Sequence, residues 1–445
     1  MTLIISIFKK FLVIITFASF TFVNVSAETL TNMVNQILDS HEDIVNAKKE
    51  LEEADRDITD ALLAYAPDLS VKYEAGNNKK FESSSNSQLD FKTWDWTWKQ
   101  KFMDSGATLN GIRNKELESE KSELDFITAR NDLLIEAADA YLGLIKASEK
   151  LEASVAAEEN TRATSGQEEI RVQVGSGLAS DVLKAKRQLA SAQKTVITDE
   201  KSFKSAVFTF EKLFKIDAVE TSSLVKPRLS PDALAMVPNS MDATVEMALA
   251  NNRDLMKSRM DVDIARNDLN VALASFGPSV DGEFKYSDKK DASHTGGSHH
   301  EEQYKVTVEF PISGLYMEMP SYMNDRSALD RAINDLAVKE RDTVKKAKDA
   351  WIEYSNARTM LSYSENEATI AQELLTIAQK ERAADQTDAA AVLSAEETLE
   401  SSLKDLSDDS MSLVTSVYEI LDVINMLDPS MIENTKTEGT FNTAS

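Results

Sequence analysis

In the passage LLAYAPDLSVKYEA, at residues 62–75, a helical pattern ends and a strand pattern begins. It returns 211 residues later, at residues 273–286, as LASFGPSVDGEFKY. A register kept over so long a distance predicts two internal repeats, at residues 28–214 and 241–427. A second set of matched positions lies at an offset of 210, with Val182, Leu183 and Leu189 answered by Val392, Leu393 and Leu399.

Each repeat carries a pair of predicted strands, at residues 68–101 and 279–311, with long polar loops at residues 76–87 and 287–302. In the first pair, tryptophans alternate with polar residues, so they share one face of a strand while the polar residues share the other. These tryptophans are Trp94, Trp96 and Trp98. One face of the predicted strand is therefore apolar and the other is wet.

Two interpretations of the four strands stay open. A membrane barrel needs at least about eight strands to close, so four strands per chain demand several chains, and three copies supply twelve. The tryptophans then lie at a membrane interface, in contact with outer-membrane lipid. The alternative is a small soluble β domain that caps a helical bundle and holds the tryptophans in its core.

The helical patterns are long and have coiled-coil spacing. Residues 105–174 contain no proline, and their apolar positions recur at steps of three, four and seven. A predicted turn at residues 174–181 leads into a returning helix, and the second repeat has a long helix at residues 322–384 followed by a turn at residues 384–391. Each repeat is predicted to be a rod with its strands at one end and its hairpin tip at the other. The fold class is therefore mainly α with a small β part.

The N-terminus is typical of an export signal. Lys9 and Lys10 precede the apolar run at residues 11–20, and small residues follow at residues 25–27. This pattern predicts a signal peptide at residues 1–27 that is removed on export, and an uncleaved anchor is the alternative.

Two other segments do not continue the helical pattern. Residues 215–240 contain Pro227, Pro231 and Pro238, so we expect them to link the repeats near the middle of the rod. Residues 428–445 are polar and form a predicted C-terminal tail.

Composition excludes several classes of function. The formal net charge of -26 argues against nucleic acid as a partner, since phosphates need Lys and Arg. The chain has no Cys, which removes disulfides, thiolate metal sites and cysteine nucleophiles. It has four His, no convergent His, Ser and acid spacing and no phosphate-binding loop, so we expect neither an enzyme nor a cofactor. His294, His299 and His300 share one polar segment, which we do not expect to form a metal site.

Together, these elements resemble the TolC-like outer-membrane efflux and secretion channels, the outer membrane factors. The resemblance covers almost the whole chain after the signal peptide. Its most specific parts are VGSGLASDVL at residues 174–183, similar to the family's hairpin tip, and the helix-to-strand passages that end at Pro67 and Pro278. It implies a homotrimer with a twelve-stranded outer-membrane β-barrel and a periplasmic α-barrel.

The resemblance also implies a function. The trimer is expected to be the passive exit duct of a tripartite efflux pump or a type I secretion system. Transport is then driven by an inner-membrane pump and requires a periplasmic adaptor. The alternative is a periplasmic helical adaptor or scaffold protein, but such a protein is expected to carry one hairpin flanked by β-rich domains rather than two hairpins.

The tips hold the candidate site residues. Gly175 and Gly177 are typical of helix caps, and the resemblance adds adaptor docking. The predicted docking residues are Val174, Gly175, Ser176, Gly177, Leu178, Asp385, Gln386 and Thr387. Negative charge at the duct entrance is predicted for Asp181, Asp385 and Asp388, although acids at a helix start are also ordinary N-terminal features. The second tip departs from the family pattern, since it has no glycine and its Val392-Leu393 pair is flanked by Ala391 and Ser394.

Overall fold

The described residues of the first half of the chain form four helices and a strand pair. The computed structural model describes residues 30–38, 40–82, 85–175, 178–216, 229, 231–291, 297–312, 314–384 and 386–428. In chain order the first elements are α1 (Leu30–Leu38), α2 (Glu42–Leu63), β1 (Asp68–Glu82), β2 (Ser85–Met103), α3 (Ala107–Gln173) and α4 (Ala179–Phe214).

The second half repeats this order of elements. It comprises α5 (Pro231–Met236), α6 (Met241–Asn251), α7 (Arg253–Ala274), β3 (Ser279–Lys290), β4 (Ser298–Glu309), α8 (Gly314–Met317), α9 (Met319–Ala383) and α10 (Ala389–Val423). The short α5 lies inside the segment that was predicted as a linker, and a proline begins it, where the missing N–H costs nothing. None of the described helices is long and apolar enough to cross a membrane.

The first helical segment of each half is interrupted. One continuous helix over residues 28–66 is a wrong prediction, because α1 and α2 are separated at His41, whose side chain accepts a hydrogen bond from the Asp43 backbone N at 3.4 Å. Between α6 and α7, Asn252 accepts one from the Leu255 backbone N at 3.1 Å. Each side chain caps the first turn of the helix that follows, so a new helix begins there.

The four strands form one antiparallel sheet in the order β1-β2-β3-β4. The predicted hairpins are confirmed, but the polar loops at residues 76–87 and 287–302 are mostly strand. Polar side chains pair across the strands there, as Asn77 does with Asp90 at 2.6 Å and Lys289 with Glu301 at 2.6 Å. The backbone ladder therefore continues well past the apolar positions.

The helices form a layer in the same lateral order as the strands. α2 and α4 both pack against α3, which in turn packs against α7 and α10, and these two pack against α9. One edge of the layer thus carries α2 and α4, on the side of β1, and the other edge carries α9, on the side of β4. The chain is an open layer with two different edges.

The apolar core lies around the middle of α3 and the C-terminal parts of α4 and α10. Tyr141 and Phe210 are fully buried there, with ring centroids 6.2 Å apart. A second cluster around Ile420 includes Trp351 and Tyr354, whose rings lie 5.9 Å apart and pack against it.

Candidate membrane face and hairpin tips

One face of the sheet is apolar and exposed. Trp94, Trp96 and Trp98 stand on it with 45–46% of their surface exposed. The strand register sets further apolar residues of β1, β3 and β4 on the same face. They are Leu69, Val71, Tyr73, Phe284, Tyr286, Tyr304, Val306 and Val308. A contiguous apolar face of this kind marks a surface that contacts lipid or protein.

The opposite face of the sheet is polar, and its charges pair with one another. Lys285 lies 3.6 Å from Asp95, and Lys99 lies 3.8 Å from Glu283. Along β1, Lys72 pairs with Glu74 on the same face. The sheet therefore has one face suited to a hydrocarbon environment and one suited to water, as the period-two pattern of the sequence predicts.

The apolar band shifts toward the helices at β4. On β1 and β2 it lies level, since Leu69 pairs with Trp98. Trp98 pairs with Phe284, and Phe284 pairs with Tyr304, yet the apolar residues of β4 continue from Tyr304 toward the helices as far as Phe310. A band that is oblique to the strands is the pattern of strands inclined to a membrane plane, as barrel strands are.

The first hairpin tip is exposed and apolar. Gly175 follows α3 with φ +80°, so the prediction that a glycine caps this helix is confirmed at this residue. Val174, Leu178 and Leu183 are largely exposed around it. Ser176 and Gly177 lie outside the described residues. The tip presents apolar side chains to solvent, and adaptor docking at these residues stays a prediction.

The second tip is held to the body of the chain. The Asp388 side chain accepts a hydrogen bond from the Ala391 backbone N at 3.0 Å and so caps α10. Arg382 donates to the Thr387 carbonyl at 2.9 Å, which fixes the turn without a glycine. Gln386 is exposed, and Asp385 lies outside the described residues.

The described acidic residues of the predicted entrance interact with groups in their own helices. Asp181 pairs with Lys184, three residues on, at 3.4 Å, and most of its side chain is buried. Asp388 serves as the helix cap described above. Both therefore act as helix-start residues here, and a role in filtering cargo stays a prediction.

An ion pair that sequence reasoning missed joins the two hairpins. Glu168 of α3 is 2% exposed, and the guanidinium of Arg382 in α9 donates to it at 2.5 and 3.1 Å. The signal was present in the sequence, because Thr161, Ser165 and Glu168 follow heptad steps of four and three on α3 and are all buried. A charged residue at such a position needs a partner in the core.

The histidines of the second strand pair do not converge. His299 and His300 are successive residues of β4, so their side chains point to opposite faces of the sheet. His300 Nδ1 lies 3.2 Å from Asp288, across the strand pair. His294 lies outside the described residues. Within the described part of the chain, no group of His, Asp or Glu has the arrangement of a metal site.

Comparison with known proteins agrees with this architecture. The family described as Outer membrane efflux protein matches residues 33–214 and 244–425. The chain therefore belongs to the outer membrane efflux protein family, and it is an outer-membrane protein with a large periplasmic portion. The TolC-like resemblance drawn from the sequence is confirmed.

Individual relatives have low sequence identity to this chain, but the matches are long. Outer membrane protein TolC of Vibrio cholerae is 21% identical over 290 residues, which cover 64% of this chain and 65% of that protein. Alkaline protease secretion protein AprF of Pseudomonas aeruginosa is 22% identical over 321 residues, covering 70% and 65%. The chain thus spans just under two-thirds of the length of each. The solved structure of the outer-membrane channel OprN superposes with a TM-score of 0.77 at 17% identity and covers 89% of both chains.

Proposed function

We propose that three copies of this chain form a passive duct through the outer membrane. The duct is the exit of a tripartite efflux pump or a type I secretion system, and an inner-membrane transporter drives it. The observation that carries the proposal is the open layer, in which strands and helices share one lateral order and end in two different edges. Such a layer closes on itself only when the first edge of one copy meets the second edge of the next.

The sheet supports closure by three copies. Each of β1 and β4 pairs on one side only, and the apolar face next to them is exposed. Open sheet edges are not tolerated in lipid, so the strands must close into a barrel. Two copies supply eight strands, whose interior side chains fill, whereas three copies supply twelve and leave room for a passage.

The helical edges support the same contact. The exposed face of α4 carries Ile197 and Phe208 among basic residues, namely Lys186, Arg187, Lys194, Lys201 and Lys204. The exposed face of α9 carries an apolar stripe, Tyr363, Ile370, Leu374 and Ile377, among the acids Glu367 and Glu373. A basic edge and an acidic edge with apolar residues between the charges suit a head-to-tail contact.

The partners follow from the position of the tips. The exposed apolar side chains of the first tip lie at the end of the rod opposite the sheet, which is the periplasmic end of the proposed duct. We propose that a periplasmic adaptor binds there and links the duct to the inner-membrane pump. The name of the protease secretion relative supports a secretion role alongside efflux. Two hairpins in one chain favour the duct over the alternative of an adaptor protein.

Membrane fractionation of the native host tests the duct. We expect the protein in the outer-membrane fraction, migrating on semi-native electrophoresis as a trimer that boiling dissociates. A soluble periplasmic monomer would mean that the sheet forms a soluble domain within each chain. The scaffold alternative would then replace the duct.

The head-to-tail contact has its own test. Reversing charge on α4, with Lys194→Glu and Lys201→Glu, is expected to lower the yield of trimer because the acidic face of α9 then repels it. Adding Glu367→Lys and Glu373→Lys in the same chain restores opposite signs and should recover trimer. Equal loss in the combined variant would contradict the proposed contact.

Adaptor docking is tested at the first tip. Val174→Glu and Leu178→Glu replace exposed apolar side chains with charges, so we expect the host's adaptor to stop co-purifying while the trimer stays intact. Val155→Glu, the same kind of change at an exposed position of α3 away from the tip, is the matched control. Unchanged co-purification with the first-tip variants would remove these residues from the docking site.

A further inference from the structure

A polar pocket of about 340 Å³ lies between the two hairpins near their tips. α3 contributes Thr164, Glu168 and Arg171, α9 contributes Arg382, and α10 contributes Glu396. The charged groups that face Glu396 are thus one carboxylate and two guanidinium groups. The pocket sits within one chain, at the contact between the two hairpins near their tips.

Glu396 is buried, and the hydrogen bonds to its carboxylate come from hydroxyl groups. It is 6% exposed, and its carboxylate accepts hydrogen bonds from the hydroxyls of Thr161 at 3.5 Å and Thr164 at 3.3 Å. These donors are neutral and the bonds are long. The Arg382 guanidinium is bound to Glu168 instead. Burial raises the pKa of Glu396, and the two threonine hydroxyls lower it only in part.

A second buried carboxylate lies close by. Thr164 and Glu168 are one helical turn apart on α3, about 6 Å along its axis. One oxygen of Glu168 receives Arg382, whereas its Oε2 is buried and has no hydrogen-bond partner among the described residues. An ionised Glu396 would be a buried charge whose hydrogen-bond donors are neutral hydroxyls, and this burial disfavours the ionised form in the packed state.

We propose that Glu396 holds a proton while the two hairpins are packed, so that its ionisation loosens the contact between them. When the hairpins separate, water reaches the carboxyl and its pKa returns toward the usual value of 4.5. Proton binding thus favours packing. The added stability is fully present below that usual value, and it is lost as the pH rises through the raised pKa of the packed state.

The linkage has a defined size. Between the two pKa values, the equilibrium constant for separation of the hairpins rises by up to about tenfold per pH unit, since one proton is released. In the proposed duct, on which this last step rests, the contact lies at the periplasmic end, so acid would hold the tip closed.

Hydrogen exchange of the full-length trimer measures the contact without relying on transport. Peptides from the tip ends of α9 and α10 are followed from pH 5 to pH 8, with rates corrected for intrinsic exchange. We expect wild-type protection to fall with rising pH, while Glu396→Gln keeps high protection throughout. Glu397→Gln, at the exposed neighbouring position, should retain the wild-type dependence. The same pH dependence in wild type and Glu396→Gln would overturn the proposal.

A second variant covers the case in which Glu396→Gln does not fold. Thr164→Val removes a hydroxyl that stabilises the charged carboxylate, so the pH at which protection falls should move upward. An unmoved midpoint would also overturn the proposal. Asp139 and Glu419, whose pKa values burial likewise raises, lie in the middle of the rod, away from the tip peptides.

Discussion

The two hairpin tips are built from the same order of elements but behave as opposites. At the first, Gly175 ends α3 in a left-handed conformation, α4 begins without a side-chain cap, and the apolar side chains point to solvent. At the second, Asp388 caps α10 and Arg382 ties the turn to Glu168. Leu183 is 69% exposed, whereas Leu393, at the matching position, is 6% exposed.

Matching positions in the two repeats therefore do not have matching roles. The second tip uses its side chains to hold the hairpins together, and the first leaves them available for a partner. A change at the second tip should therefore act on stability, and a change at the first should act on binding.

The largest effect is expected from the ion pair that anchors the second tip. Arg382→Ala leaves Glu168 buried without its partner, which costs about 3–5 kcal/mol. Hydrogen exchange should show the tips of α9 and α10 opening by the corresponding factor. Arg358→Ala, an exposed change on the same helix, is the control and should stay within about 0.5 kcal/mol. Equal effects of the two variants would contradict an anchored second tip.

The matched leucines give the next largest effect. Leu393→Ala empties a buried site and should destabilise the hairpin by about 2–5 kcal/mol. Leu183→Ala removes an exposed side chain and should change stability by less than about 0.5 kcal/mol. Exchange of the α10 and α4 peptides measures both. If the two changes cost the same, the tips do not differ in the way their burial indicates.

The smallest effect concerns the backbone of the first tip. Gly175 has φ +80° and nothing within 4 Å of an added Cβ, so Gly175→Ala meets conformational strain without a clash. We expect a cost of about 1–2 kcal/mol, seen as faster exchange at the end of α3. Ala384→Gly, at the C-cap of α9 in the second tip, should cost less, because Ala384 does not have a positive φ. A larger cost at Ala384 than at Gly175 would contradict the view that the first tip is the one that needs a positive φ.

The periodic features of this fold could be predicted from sequence. Heptad spacing gave the long helices nearly to their ends, and alternation around Trp96 gave the two faces of the sheet. Periodicity reports which face of an element is apolar, so it works wherever burial decides. It also predicted loops at residues 76–87 and 287–302, because strand pairing between polar residues leaves no apolar signal there.

Features fixed by single contacts could not be predicted. A capping side chain breaks the helix at His41, and the Glu168–Arg382 pair joins segments that are 214 residues apart. Gly277 is another such feature: an added Cβ would lie 2.1 Å from the Ser105 Oγ, which donates to the Pro278 carbonyl. These contacts depend on the assembled sheet.

The unpaired outer edges of β1 and β4 also constrain how the protein is made. A lone chain presents two strand templates beside an apolar face, and such edges pair with whatever strand they meet. Correct closure joins different edges, so it competes with non-closing association of the same chains. Refolding yield should therefore pass through a maximum as chain concentration rises. Dilute chains would remain unpaired, and concentrated chains would form linear arrays of copies that do not close.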